Sequence, residues 1–454
     1  MSSPTTSSFI QRHEFSAVIA LVGISLIHGI CNIFNLSYAG QDYSQHMGLL
    51  RGASQGFLLF NSTNPPGLYV FAEYVGRHFP AQFAMEGIAG ALLLVNLVAL
   101  LFWYGILRRI IVSCPLRIAT FALLTCLPVR TVTSIVFASD ALTVMPMALL
   151  IVLVAAQARC ASLWVQIALG LLAGGVWSLA LYIKFTFLVL PLGITAVCGL
   201  WLLRGQSWRS RVRLMVSLIL GSILPIFFGL WVYSSMKSAG SIHFSQTDKG
   251  VGMPWNALLG VQQKDLKILS APEFTCDKPM DAAVGHSYLS LVHLGSFSDV
   301  WNFFQEPSPE VFAQPRPLEK CFPRDRPYIA KSLTPVALVL SLPITVIALL
   351  GSIYQLIVGL LRNFKSPSLA SDLKMAIVFM SIAICAPPIM RLPYYQMVYV
   401  FGYWTPRLIL PGLLGFIVLG FASLDELLRN RSPWISNVIG IYAAILSALY
   451  LLIL

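Results

Sequence analysis

Two carboxylates and four cations stand where an apolar chain has little use for charge. Asp42 follows the first long apolar run, within Tyr38-Ala39-Gly40-Gln41-Asp42-Tyr43-Ser44-Gln45-His46. A carboxylate at a membrane boundary can take the proton from an attacking hydroxyl. It can equally cap a short helix. If residues 41–50 form such a helix, Asp42 and His46 share one face at i,i+4. Asp140, in Ala138-Ser139-Asp140, is the second carboxylate, at a tight turn between two apolar runs. There it, or Ser139, can also cap the helix that follows. The cations are Arg130, Lys184, Arg391 and Arg407, each inside or at the edge of an apolar run. A charge within a bilayer costs at least about 2.5–3.5 kcal/mol and marks function by default. Snorkelling to headgroups is the alternative reading. Four cations at one depth suit a phosphate or diphosphate on a lipid carrier. His28, low in the first run, reads as a buried hydrogen-bonded histidine, and His243, His286 and His293 lack paired metal spacing.

The elements that must position these residues are membrane helices. The 454 residues are 57% hydrophobic and 11% charged, with mean hydropathy +0.78. Soluble proteins carry about 25% charged residues. Apolar runs of about 20 residues indicate spanning helices, not the short alternating strands of an outer-membrane barrel. The fold class is therefore an all-α polytopic membrane protein of about eleven transmembrane helices. The expected spans are 15–35, 87–107, 118–137, 141–159, 163–182, 185–203, 214–234, 334–361, 375–390, 407–424 and 436–454. A net charge of +12 would suggest nucleic acid in a soluble protein. Here Arg and Lys lie mostly in short loops, which points to membrane orientation and to no nucleic acid. Contact with membrane lipids follows, and an anionic lipid substrate fits the same charge.

Basic clusters at Arg12, Arg108/Arg109/Arg117, Arg159, Arg204/Arg209/Arg211/Arg213, Arg362/Lys365/Lys374 and Arg429/Arg431 fall in alternate loops. The positive-inside rule then places the N-terminus in the cytoplasm and the functional candidates on the outer face. The first span is expected to be a retained signal-anchor. The chain divides into an N-terminal transmembrane module, 1–234, with a long first outer loop, 36–86. An outer loop of about 100 residues, 235–333, follows between helices 7 and 8, and 334–454 holds the C-terminal helices. Cys276 and Cys321 lie in that long loop, on the oxidising side. A disulfide between them would contribute about 3–4 kcal/mol on the chain-entropy view; two separate thiols are the alternative. Cys31, Cys126, Cys198 and Cys385 lie in apolar runs and read as small core residues. Phosphate-binding glycine loops and metal-spaced CxxC pairs are absent from the sequence.

Several short motifs resemble those of the GT-C integral-membrane glycosyltransferases. The resemblance is to the bacterial branch of protein mannosyltransferases and of lipid A aminoarabinose and galacturonic acid transferases. Asp42 occupies that family's acidic position after the first helix. Asn64-Pro65-Pro66-Gly67-Leu68-Tyr69 resembles its His-Pro-Pro-Leu-Tyr run. Ser139-Asp140-Ala141-Leu142 resembles its second outer acidic site. Lys184-Phe185-Thr186 with Leu190-Pro191 resembles its Lys-x-Thr and Leu-Pro element. Thr405-Pro406-Arg407-Leu408-Ile409-Leu410-Pro411 resembles its late Arg-Tyr-Leu-Leu-Pro element. Two positions depart: Tyr43 stands where many relatives carry a second acid, and Asn64 replaces the histidine.

The resemblance implies inverting transfer of a sugar from a polyprenyl-phosphate donor to a glycan, lipid or protein acceptor on the outer face of a bacterial inner membrane. Asp42 and Asp140 would be catalytic, with Asp42 as base. Lys184, Arg391, Arg407 and Arg130 would hold the lipid phosphate. His46, Asn64 and Tyr69 would position the acceptor or the loop. A divalent metal, Mg or Mn, is a candidate cofactor. A phosphate leaving group needs no carboxylic acid to protonate it, because cations stabilise its charge directly. Two other classes fit part of the pattern. One is a transporter or flippase for lipid-linked sugars. The other is a polysaccharide polymerase or ligase.

Overall fold

The computed structural model describes residues 6–35, 46–48, 50, 65–204, 208–238, 288–297, 328–398, 409–429 and 433–454. Side chains near several helix ends, those of 386–398 among them, are not described. Among the described residues all regular structure is helical. The longer elements are α1 Thr6–Asn35, α2 Gly67–Gly76, α3 Ala84–Ile110, α4 Cys114–Cys126 and α5 Pro128–Ile135. They continue with α6 Val144–Arg159, α7 Leu163–Ile183, α8 Leu190–Leu203, α9 Trp208–Ser238 and α10 Tyr288–Phe297. The last are α11 Tyr328–Tyr354, α12 Leu360–Lys365, α13 Leu369–Val398, α14 Leu410–Leu428 and α15 Pro433–Ile453.

Eight of these stretches are long and apolar enough to cross a membrane, and nine if α4 and α5 count as one bent span. Many of their large apolar side chains face outward, Ile219, Phe227 and Leu230 on α9 and Phe15 and Ile27 on α1 among them. Water would penalise such surfaces; a bilayer requires them. The chain is a multi-pass membrane protein. The expected count of eleven is not reached by this measure. The two remaining expected spans, 185–203 and 375–390, correspond to α8, whose apolar helix is 14 residues, and to the 30-residue α13.

Helices divide into central and peripheral ones. In α14, 72% of the most apolar window is buried, against 17% for residues Trp208–Trp231 of α9. Lipid supplies no hydrophobic drive between helices, so α9 must dock by close backbone contact. Gly170 and Gly174 on α7 provide it. A Cβ on Gly170 would stand 2.5 Å from the Ser217 carbonyl oxygen, and one on Gly221 2.5 Å from that of Gly170. Gly351 and Gly420 allow the same approach between α11 and α14, where Ser423 Oγ donates to the Gly351 carbonyl at 2.8 Å.

The α4–α5 junction bends by 47° at Leu127-Pro128. Pro128 has no N–H and cannot continue the hydrogen-bond ladder. Residues 288–297, expected within an outer loop, form α10 and pack on the spans. There His293, buried, lies 2.7 Å from Thr345 Oγ1 and 3.0 Å from the Leu338 carbonyl through its two ring nitrogens.

One end of the bundle is stitched by ion pairs. Asp372, fully buried at the start of α13, receives Arg159 and Arg204 at 2.6 Å each and Trp201 Nε1 at 3.1 Å. Arg117 pairs with Glu14, Arg362 and Lys374 with Glu426, and Arg429 with Asp425. Asp425 also accepts the amides of Val112 and Ser113 at 2.9 and 3.0 Å, serving the start of α4 from a distant helix. The basic loops read as orientation signals thus also hold the helix ends together. Among the cysteines, Cys126, Cys198 and Cys385 are buried as expected, whereas Cys31 is exposed on the outer surface of α1. Cys276 and Cys321 lie outside the described residues.

Candidate functional site

Three of the matched segments meet at the other end of the bundle. Lys184 ends α7 in an extended conformation, φ −156° and ψ 131°, with its amide still bonded to the Ala180 carbonyl at 2.8 Å. That break directs its side chain sideways, and Trp177 Nε1 holds the following turn through the Phe187 carbonyl at 2.9 Å. Asp140 lies in a 3₁₀ turn, Ser139–Leu142, just before α6. Lys184 Nζ and Asp140 Oδ1 form an ion pair, with the two side chains 10% and 5% exposed.

The turn that carries Asp140 is anchored by Asn96 of α3. Its Nδ2 donates to the Ala141 carbonyl at 2.6 Å and to Leu92 at 3.0 Å. Thr143 Oγ1 adds a bond to the Asp140 carbonyl at 2.7 Å. Asn96 was not singled out by sequence reasoning. A lone asparagine mid-way along an apolar run was the available signal, since such a residue is costly in lipid unless bonded.

The segment from Pro65 to Gly76 packs beside this pair. Gly67 opens α2, and a Cβ there would stand 2.5 Å from the Tyr182 carbonyl oxygen and 3.1 Å from Ile183 Cα. Only glycine lets the Pro65-Pro66-Gly67 run rest on the backbone immediately before Lys184. Pro66 then accepts the amides of Tyr69 and Val70 at 3.0 Å each. Tyr69 is buried, and its hydroxyl lies 2.7 Å from His46 Nδ1. Phe137 presents its edge to both rings, with centroids 5.8 Å from His46 and 6.5 Å from Tyr69. Leu68, Leu92, Ala141 and Ile183 fill the space beneath.

Arg130 occupies a different setting. It is fully buried on α5 and donates to Ser25 Oγ on α1 at 2.9 Å and to Thr131 Oγ1 at 3.1 Å. It also bonds the Thr125 carbonyl, in the last turn of α4 before the bend. A cation beside the carbonyl end of α4 is favoured by the helix dipole. Its Nε and Nη1 have no partner among the described residues. Arg391 lies in α13, with its side chain not described, and Asp42, Asn64 and Arg407 lie outside the described residues.

No group of three metal-binding side chains occurs among the described residues. Asp140 faces an ammonium and His46 Nδ1 faces a phenol.

No family model matches the chain, and no curated protein matches it. Among solved structures it is similar to ArnT from Cupriavidus metallidurans. For the apo structure the identity is 13% and the TM-score 0.39, covering 90% of this chain and 77% of that one. For ArnT bound to undecaprenyl phosphate the identity is 15% and the TM-score 0.38, covering 90% and 78%.

Proposed function

We propose that the chain is a GT-C-type membrane glycosyltransferase that moves a sugar from a polyprenyl-phosphate donor to an acceptor at the end of the bundle holding Asp140 and Lys184. The observation that carries the reading is the convergence of three motif segments distant in sequence. Gly67 rests on Tyr182, and Lys184 pairs with Asp140. Such a pair can exchange partners: a phosphate oxygen arriving at Lys184 replaces part of what Asp140 supplies. Asp140 is then released to orient the acceptor. Asp42, a few residues before His46, is assigned as the base that takes the acceptor proton. Arg391 and Arg407 are assigned to the lipid phosphate, and Arg130 to the same charge field from below. The leaving phosphate needs cations and no acid, which matches one base with several basic groups. We place this end on the outer face of a bacterial inner membrane, with the N-terminus cytoplasmic, from the alternation of basic loops.

The test uses the full chain, purified in detergent, with radiolabelled lipid-linked sugars extracted from membranes. Release of polyprenyl phosphate together with labelled acceptor supports transfer. Movement of intact donor across a vesicle bilayer, without release, would replace the proposal with a transporter.

A further inference from the structure

At the end of the bundle opposite Asp140 and Lys184 there is a basic groove that the proposed reaction does not use. Asp140 precedes α6 and Lys184 follows α7, whereas Arg213 Nη1 bonds the Ala161 carbonyl, between the far ends of those two helices. The groove is shallow and open, and is lined by Trp208, Arg209, Val212 and Arg213 at the start of α9. We propose that it binds the phosphate headgroup of an anionic phospholipid.

The basic residues of this end divide into paired and unpaired ones. Six other cations at that end sit against carboxylates: Arg117 on Glu14, Arg159 and Arg204 on Asp372, Arg362 and Lys374 on Glu426, and Arg429 on Asp425; Arg108, Arg109 and Lys365 have no carboxylate partner among the described residues. Arg209, Arg211 and Arg213 have no carboxylate partner among the described residues. Arg213 reaches only carbonyl oxygens, those of Arg209 at 3.2 Å and of Ala161, and Arg211 Nε is buried without a partner. The amides opening α9 add to the positive potential. An anion from outside the chain is what this cluster lacks.

The surroundings identify that anion as a lipid. Trp208 and Trp164 are 76% and 78% exposed, the placement of tryptophans at a membrane boundary. Trp208 is also the first residue of a candidate span, so the groove lies at headgroup depth. Val212, Val216 and Ile219 continue from it along one exposed face of α9, at the i, i+4, i+7 spacing that an acyl chain can follow. A phosphate held by Arg209 and Arg213 would thus have apolar surface directly beneath it.

The experiment is native mass spectrometry of the intact protein, released from detergent micelles doped with dioleoylphosphatidylglycerol or dioleoylphosphatidylcholine. The wild type is expected to retain phosphatidylglycerol at lower lipid concentration than phosphatidylcholine. Arg209→Gln with Arg213→Gln should raise the concentration needed by about thirtyfold, from about 1 kcal/mol per basic residue near an anionic surface. Arg209→Lys with Arg213→Lys should keep most of the preference. Equal retention of the two lipids, or an unchanged preference in the glutamine variant, overturns the proposal. Displacement of the lipid by millimolar inorganic phosphate also overturns it, because the groove would then serve free phosphate.

Discussion

Lys184 and Asp140 form a buried ion pair that joins the end of α7 to the turn before α6. Both positions interrupt apolar sequence, and each is the other's charge partner. Removing one takes a buried charge partner from the other, which costs up to about 3–5 kcal/mol, whereas removing both costs less. Asp140→Asn is therefore expected to lower the thermal midpoint in detergent, and Asp140→Asn with Lys184→Met to recover much of it. Transfer should be lost in both. A double variant that recovers stability and activity together would show the pair to be structural only.

Asp42→Asn should reduce transfer by about 10²–10⁴-fold, the usual contribution of a positioned general base. The purified variant should keep the wild-type elution profile and thermal midpoint. Near-normal turnover would remove Asp42 as the base.

Gly67→Ala places a Cβ against the Tyr182 carbonyl oxygen. Overpacking of this kind costs about 1–3 kcal/mol. Because the contact seats the start of α2 on the backbone just before Lys184, donor KM should rise along with the loss of stability. Steady-state kinetics measures the first effect and differential scanning fluorimetry the second.

Asn96→Leu removes the bonds that fix the Ala141 and Leu92 carbonyls. A buried acceptor left unsatisfied costs about 1–3 kcal/mol. The turn carrying Asp140 should loosen, and faster proteolysis near residues 138–143 would report it. Asn96→Asp, which keeps the shape without the donor, should not rescue.

Arg130→Met should fold about as well as the wild type, because Nε and Nη1 lack partners among the described residues and the buried charge carries its own desolvation cost. Arg130→Ala should be less stable, since it opens a cavity beside the bend at Pro128. The comparison of midpoints between the two variants checks this. A methionine variant as unstable as the alanine one would mean that the charge itself holds the bend.

Much of the architecture was legible in local chemistry. Long apolar runs with few charges have one stable form in a bilayer, so helices and their approximate bounds follow from composition and spacing. Basic clusters in alternate loops show which helix ends lie together, and the ion pairs of Arg159, Arg204 and Lys374 do gather at one end. The cost of charge in lipid also marked Asp140, Lys184 and Arg130 before any contact was known.

What those charges touch was decided by tertiary structure alone. Lys184 and Arg130 look alike in sequence, each a cation in an apolar stretch. One faces a carboxylate in the turn before α6; the other answers a carbonyl in the last turn of α4 and a serine of α1. Asn96, Gly67 and Asp372 owe their roles to partners far along the chain, and no periodicity encodes them. The reason is physical. Hydropathy depends on each residue's own transfer free energy, whereas pairing depends on how helices rotate and dock, which the small residues at Gly170, Gly174 and Gly221 control through contacts between backbones.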